Sequence, residues 1–197
     1  MAVQYALKQL EQEGVVERRK GAGTFISKIT GDKVMIGDHT GSNLGITSIL
    51  KNSGHKISNR VIARGFVSSR FLAHKLGIPE DEKVYALHRV RFSNDEPFAL
   101  EYSYLPARTF PDMDEVDFTD VSLYDYMEAY GLMPVFFNES LQIVEVNSRE
   151  AGYLEMAEGD PVYYNRLVGF SGDGRIVEYT ESYSRCDKAE IKFDTVV

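Results

Sequence analysis

The sequence VYALHRVRFSND at residues 84–95 returns 78 residues later as VYYNRLVGFSGD at residues 162–173. Both stretches are rich in β-branched and aromatic residues and end in residues typical of a turn. The similarity continues in the same order before and after them, at the pairs Ala73/Ala151, Leu76/Leu154, Glu80/Glu158 and, after a one-residue slip, Glu101-Tyr102/Glu178-Tyr179. Chance similarity between aromatic-rich strands is the alternative, but the shared order favours a duplicated unit of a helix followed by a hairpin.

The remaining patterns place further elements around this repeat. Helices are predicted at residues 46–51, 69–76, 122–130 and 147–156, the last opened by a capping box of Asn147 and Glu150. Strands are predicted at residues 60–67, 84–92, 98–105, 135–146, 162–170 and 176–184. Because these strands form antiparallel hairpins mixed with helices, the predicted fold class is α+β with an antiparallel sheet.

The N-terminal stretch has a different organisation. Residues 1–14 have helical spacing of apolar residues, and residues 15–18 and 24–26 have strand character on either side of a turn that contains Gly21 and Gly23. Residues 29–44 are rich in Gly, Asp, Ser and Asn, which is typical of a linker. We therefore expect an N-terminal segment at residues 1–28, a linker at 29–44 and the main domain at 45–197.

The composition excludes several classes of protein. The 197 residues are 43% hydrophobic and 26% charged, with 12 Tyr, 11 Phe, no Trp and one Cys. This is typical of a globular domain rather than a disordered chain, and no apolar run reaches the roughly 18 residues that would span a bilayer. Cys186 cannot form an internal disulfide, and the first five residues lack the order of a secretory signal. We expect a cytoplasmic protein without a membrane partner.

Charge is unevenly distributed along the chain. The formal net charge is -8, yet residues 1–30 carry five Lys or Arg against three Glu, while the other residues carry 17 basic groups against 27 acidic ones. Nonspecific binding of nucleic acid by the whole surface is therefore disfavoured. A slightly basic N-terminal segment precedes an acidic domain.

Arg89 and Arg91 are the strongest candidates for binding an anion. They lie two residues apart in a predicted strand, so both side chains lie on one face, and two guanidinium groups can hold an oxyanion through paired hydrogen bonds. With a loop at residues 94–96, Arg89 lies opposite Glu101 and Arg91 opposite Ala99. Two alternatives are a solvated outer face of the sheet and a simple cross-strand ion pair.

Other candidate sites have weaker signals. Ser122, at the start of a helix, fits either a cap with Asp125 or a hydroxyl that binds phosphate, and Thr47 with Ser48 allows the same two interpretations. The four histidines lack metal-ligand spacing, and no glycine-rich phosphate loop occurs. We expect no metal, no cofactor and no catalytic residues.

Two parts of the sequence resemble a known family of regulators. LKQLEQEGVVERRKGAGTFI at residues 7–26 resembles the recognition-helix end and wing of a GntR-type winged helix-turn-helix repressor. The main domain resembles the effector-binding domain of the HutC subfamily, the UTRA domain, which has a chorismate-lyase-like fold. The matching motifs are Arg89-Val90-Arg91, Glu96-Pro97-Phe98-Ala99-Leu100-Glu101, Tyr104-Leu105-Pro106, Ser122-Leu123-Tyr124 and Val177-Glu178-Tyr179.

The resemblance implies roles for individual residues. Arg89, Ser122, Tyr124 and Ser48, with the neighbouring Thr47, would hold an acidic group such as the phosphate of a sugar phosphate. Arg91, Glu101 and Glu178 would orient the rest of the effector. The sequence departs from the family at Ile49, where an aromatic Phe is frequent, and at Ser184, where a second Tyr is frequent. Both departures alter the wall of the implied pocket.

The resemblance also implies the function, a dimeric, metabolite-sensing transcriptional repressor. Arg18, Arg19 and Lys20 would contact DNA phosphates or the minor groove, with Gly21 and Gly23 shaping the turn; a solvated hairpin tip is the alternative. Only 14 residues precede the wing, where the family has two further helices. We therefore expect a partial winged-helix remnant and weak or absent binding of operator DNA by this chain alone. A lyase-like enzyme acting on a small carboxylate and a stand-alone sensor are the alternative functions.

Overall fold

The described part of the chain contains ten strands, three short helices and helical residues near its N-terminus. The computed structural model describes residue 3 and residues 6–8, 16–19, 23–26, 34–36 and 55–191. The strands are β1 (Val16–Arg19), β2 (Gly23–Ile26), β3 (Val34–Ile36), β4 (Ile57–Val67), β5 (Val84–Ser93), β6 (Glu96–Pro106), β7 (Phe136–Glu145), β8 (Pro161–Phe170), β9 (Ile176–Arg185) and β10 (Ala189–Ile191). The helices are α1 (Arg70–Leu76), α2 (Leu123–Ala129) and α3 (Ser148–Leu154), with a 3-10 turn at Met113–Glu115. The predicted α+β class is confirmed.

Strands β4 to β9 form one antiparallel sheet in the order β4-β5-β6-β9-β8-β7. Its two halves are the two copies of the sequence repeat, β4-α1-β5-β6 and β7-α3-β8-β9, and their last strands pair in the middle. Helices α1 and α3 begin and end 78 residues apart, as the sequence offset requires. The duplicated unit is larger than predicted, because it includes the strand before each helix.

The equivalent helices also begin and end alike. Ser69 caps α1 by accepting a hydrogen bond from the backbone N–H of Leu72, and Asn147 caps α3 with its side-chain oxygen. Each helix ends at a residue in the left-handed conformation, Gly77 with φ 64° and Glu155 with φ 54°. A side chain is disfavoured in that conformation, so the second copy carries a local strain that the first avoids.

The predicted capping box at α3 forms only in part. The Asn147 side chain accepts from the backbone N–H groups of Arg149 and Glu150, at 3.0 and 3.3 Å. The Glu150 carboxylate instead accepts a hydrogen bond from the Tyr102 hydroxyl at 3.2 Å. The Glu150 carboxylate therefore binds a side chain of the sheet and does not complete the capping box at the helix start.

The β5–β6 hairpin places the candidate site residues. Its turn is Asn94-Asp95, with φ of 51° and 66°, as a tight two-residue hairpin turn requires, so the predicted three-residue loop at 94–96 is wrong. A bulge between Arg91 and Phe92 adds one residue to β6 and restores the predicted register. Arg89 therefore lies opposite Glu101, as predicted from the longer loop.

The two faces of the sheet pack against different elements. On the α1/α3 face, Leu72 and Leu76 of α1 belong to one buried cluster, and Ala151 and Leu154 of α3 belong to another. On the α2 face, residues 107–135 cover one end of the sheet; Tyr85, Leu87, Leu105, Phe110, Met113, Phe118, Leu123, Tyr126, Met127 and Val177 are buried there. Full burial of one such side chain contributes about 2 kcal/mol.

Residues 1–33 form a compact unit separate from residues 34–197. Within the first unit, β1 and β2 pair as the predicted hairpin, and the described residues Val3 and 6–8 are helical. Gly23 begins β2 with φ 114°. The rest of the predicted first helix lies outside the described residues, as does the helix predicted at 46–51.

Part of the segment predicted as a linker forms a strand. Residues 34–36, within the predicted linker at 29–44, are β3, which pairs in parallel with β10 in the second unit. The sequence did not predict this strand for two reasons. Gly and Asp lie on both sides of it, and three residues are too few to show a period of two.

Candidate functional site

Strand β5 places two arginines on the α2 face of the sheet. Arg89 and Arg91 follow Tyr85 and Leu87 on that face by strand alternation. Arg89 is 1% exposed and Arg91 is 5% exposed. Their interpretation as solvated outer-face residues is therefore wrong.

Glu101 of β6 pairs with both arginines. One oxygen, Oε2, accepts from Arg89 Nη2 at 3.0 Å and from Arg91 Nε at 2.7 Å. Arg91 Nη1 also donates to Asn59 Oδ1 at 3.1 Å. All three charged side chains are buried, so this cross-strand ion pair differs from an exposed one, and loss of one member would leave an uncompensated buried charge.

A second carboxylate, Glu178 of β9, lies next to this group. Its Oε1 accepts from the Thr180 hydroxyl at 2.5 Å, and Thr180 is also 2.8 Å from the Ser103 hydroxyl. The Tyr124 phenol of α2 lies beside Glu178. Two carboxylates, two guanidinium groups and a phenol therefore meet on this face.

Burial dominates the electrostatics of the site. It raises the pKa of Glu178 from 4.5 to about 6, against the lowering effects of the Thr180 and Tyr124 hydroxyls and of Arg89. Burial and the neighbouring Arg91 lower the pKa of Arg89 to about 10, so Arg89 stays cationic at neutral pH. For Glu101, burial raises the pKa, but Arg91 and Arg89 together outweigh it and lower the pKa.

Tyr124 stays protonated in this environment. Burial is the main cause that raises its pKa well above the usual value, and the negative charge of Glu178 adds to it. Tyr124 can therefore donate a hydrogen bond to a ligand or to a carboxylate.

The site contains buried polar atoms without hydrogen-bond partners. They are Nε and Nη1 of Arg89 and Oε2 of Glu178. Because a buried donor or acceptor without a partner costs about 1 to 3 kcal/mol, and more when charged, such atoms indicate a binding position. Arg89 offers two donors to an oxyanion, and Glu178 offers an acceptor to a hydroxyl or amino group.

A model of the UTRA domain matches residues 52–190 of this sequence. The chain belongs to the UTRA domain family. It is 30% identical over 190 residues to the HTH-type transcriptional repressor NagR of Bacillus subtilis, with 95% of this chain and 76% of NagR covered. It is 24% identical to a probable fructoselysine utilization operon transcriptional repressor of Shigella flexneri, covering 98% of this chain and 78% of that protein.

Solved structures share the fold of this UTRA protein. PhnF from Mycobacterium smegmatis superimposes with a TM-score of 0.79 at 24% identity, covering 100% of this chain and 84% of PhnF. The effector domain of PhnF alone gives a TM-score of 0.74 at 22% identity, covering 78% of this chain and 95% of that domain. The protein is a transcriptional regulator with a UTRA domain, and NagR and the Shigella flexneri relative are both named as transcriptional repressors and not as enzymes.

The structure brings most of the predicted effector residues of the UTRA domain together. Arg89, Arg91, Glu101, Tyr124 and Glu178 form the group described above. Ser122 precedes α2, two residues before Tyr124, and its side chain makes no capping hydrogen bond. The interpretation of Ser122 as a side-chain cap is therefore wrong. Thr47, Ser48 and Ile49 lie outside the described residues.

The predicted DNA-contacting residues of the UTRA protein are only partly described. Arg18 and Arg19 belong to β1, and Gly23 begins β2. Lys20 and Gly21 lie outside the described residues. Contact of any of these five residues with DNA stays a prediction.

Three polar residues of the site were missed from the sequence. Asn59 binds Arg91, and Thr180 with Ser103 supports Glu178. A signal for Thr180 was present, because β9 carries polar residues at every second position from 178 to 184 and one face of a buried strand is then polar. Ser184, the predicted departure from the family, is 4% exposed and lies opposite Ala99.

Neither a metal-ligand cluster nor a membrane-spanning helix is found in the described part of the UTRA protein. Among those residues, no three His, Cys, Asp or Glu side chains are grouped so that they could hold a metal ion. No helix among them is long and apolar enough to cross a membrane.

Proposed function

We propose that this protein is a metabolite-responsive transcriptional repressor whose UTRA domain binds a small acidic effector, a sugar phosphate. The observation that carries the proposal is Arg89, which is 1% exposed and has two guanidinium nitrogens without partners. A phosphate group presents several oxygens and can accept a charge-assisted hydrogen bond from such a nitrogen. The repressor names of NagR and of the fructoselysine operon regulator support the regulatory part.

The carboxylates define the other half of the proposed effector. Glu178 has an oxygen without a partner, and it needs a hydrogen-bond donor. Sugar hydroxyl or amino groups supply such donors, whereas a plain phosphate ion at neutral pH offers few. In this proposal Arg89, Ser122, Tyr124, Thr47 and Ser48 hold the phosphate, and Arg91, Glu101 and Glu178 orient the sugar.

The proposed regulation is a shift between two arrangements of a dimer. Residues 45–197 would bind the effector, and residues 29–44 would join them to the DNA-binding segment. That segment, residues 1–28, would contact operator DNA through Arg18, Arg19, Lys20, Gly21 and Gly23. The effector changes DNA affinity only if it binds one arrangement more tightly than the other. A regulator of this kind works where the DNA is, so we place the protein in the cytoplasm.

Calorimetric titration of the purified protein tests the proposal. The probes are glucose 6-phosphate, fructose 6-phosphate and glucosamine 6-phosphate, each compared with the same sugar without phosphate. We expect at least one phosphate ester to bind and its sugar alone to bind at least tenfold more weakly. Arg89→Met should weaken binding of that ester by about 100-fold or more, because the cation and its charge-assisted hydrogen bond to the phosphate are lost.

The exposed Arg108 supplies the matched control. Arg108→Met should leave the affinity unchanged, and circular dichroism should show that both variants are folded. Absence of binding for all three esters would contradict the sugar-phosphate proposal. Unchanged affinity in folded Arg89→Met would contradict the assignment of the phosphate position.

A further inference from the structure

A row of four polar side chains crosses the α1/α3 face of the sheet, opposite the site described above. His88 of β5 lies across from Tyr102 of β6, Tyr102 from Glu181 of β9, and Glu181 from Arg166 of β8. Strands are about 4.8 Å apart, so the row spans about 14 Å between its ends. We call this row, with the side chains that contact it, the seam.

The seam lies between the two helices of the repeat. Helix α1 packs on the cluster of Val84 and Tyr179, and α3 packs on the separate cluster of Val90 and Leu100. Three of the four side chains in the row, all except Tyr102, are only half-buried. The row therefore runs between two apolar clusters, one under each helix of the repeat.

Tyrosines of the seam form a connected network. The hydroxyls of Tyr164 and Tyr179 donate to Oε1 of Glu181 at 2.6 and 2.9 Å, and the Tyr102 hydroxyl donates to Glu150 of α3. The His88 ring packs nearly perpendicular to the Tyr102 ring, at a centroid distance of 4.7 Å. The network fixes the rings, so their positions are set before any ligand binds.

Three buried polar atoms in the seam have no hydrogen-bond partner. They are Nε2 of His88, Nε of Arg166 and Oε2 of Glu150, and Glu150 is only 7% exposed as a residue. A purely structural network would be expected to pair its own atoms, because buried polar groups almost always are paired. One acceptor, one donor and one imidazole nitrogen are therefore available to a ligand.

The charges and the donors select the class of ligand. Arg149 and Arg166 offset Glu150 and Glu181, and burial together with Arg149 lowers the pKa of His88, which keeps the imidazole neutral at neutral pH. With no net charge to select an ion, hydroxyl groups fit best, since each can both donate and accept. Tyrosine rings beside them can pack against the C–H face of a sugar ring.

We propose that the seam is a second binding site, which takes an uncharged sugar of one or two rings. It is independent of the site around Arg89, because its side chains point to the opposite face of the same strands. A protein with both sites could hold an acidic effector and a neutral sugar at once.

Tyrosine fluorescence provides a direct test, since the chain has 12 Tyr and no Trp. The probes are glucose, mannose, maltose and cellobiose, which share hydroxyl chemistry and differ in ring number, in one hydroxyl orientation or in linkage. At least one probe should change the emission in a saturable way. Glu150→Gln and Arg166→Met should each raise its half-saturation concentration at least tenfold, because each removes one of the unpaired groups.

Two controls separate the seam from the rest of the protein. Arg108→Met and Glu158→Gln, both at exposed residues outside the seam, should leave sugar binding unchanged. Arg166→Lys, which keeps the charge but loses Nε, should weaken binding and remain folded by circular dichroism. Failure of all four sugars to bind, survival of binding in the folded seam variants, or its loss in folded Arg108→Met would each overturn the proposal.

Discussion

The buried carboxylate of Glu178 should make the protein less stable as pH rises. In the unfolded chain its pKa is the ordinary 4.5, and in the folded protein burial raises it to about 6. Between these pH values the folded protein binds the proton of Glu178 more tightly than the unfolded chain does. The stabilisation from this proton is complete below pH 4.5 and is lost as pH rises through 6. A difference of about 1.5 pKa units corresponds to about 2 kcal/mol at high pH.

Glu178→Gln removes this titration and keeps nearly the same shape. The free energy of unfolding of the variant, minus that of the wild type, should be about 1.5 kcal/mol higher at pH 7.5 than at pH 4.5. Urea unfolding at these two pH values measures the free energy of unfolding of each protein. The comparison cancels every other titrating group, because both proteins share them.

Glu158→Gln is the matched control, since Glu158 is exposed. Its stability relative to the wild type should differ between the two pH values by less than about 0.5 kcal/mol. If Glu178→Gln shows the same small difference, or loses stability relative to the wild type as pH rises, the burial argument for Glu178 is refuted.

Two further predictions concern the helix ends of the repeat, and urea unfolding measures both. Asn147→Ala should cost about 1 kcal/mol, because it leaves the N–H groups of Arg149 and Glu150 without the cap; an unchanged stability would refute its role. Gly77→Ala should cost about 1 kcal/mol, while Glu155→Gly at the equivalent position should gain about 0.5 kcal/mol, since both positions are left-handed. If Gly77→Ala and Glu155→Gly change the free energy of unfolding in the same direction, this reasoning is contradicted.

The sequence predicted the sheet well because its signals are local. The repeat fixed the order of helix and hairpin, and the alternation around Arg89 and Arg91 fixed their shared face. Arg89 was correctly predicted to lie opposite Glu101, although the predicted loop was one residue longer than the observed turn. The bulge adds one residue to β6 and compensates for that difference.

The parts that the sequence did not predict depend on distant contacts. Burial of Arg89 follows from the packing of residues 107–135 on the α2 face, and no local pattern encodes it. The polar row from His88 to Arg166 could be seen only after β6 was paired with β9, because its members come from both copies of the repeat. Strand β3 likewise exists through its pairing with β10, which lies at the other end of the chain.

A crystal structure of the complex with the sugar phosphate that binds most tightly tests the central claim most directly. We predict that a phosphate oxygen lies within hydrogen-bond distance of Nε or Nη1 of Arg89, and that a sugar hydroxyl or amino group donates to Oε2 of Glu178. A bound phosphate away from Arg89, with these two nitrogens still unpaired, would contradict the account.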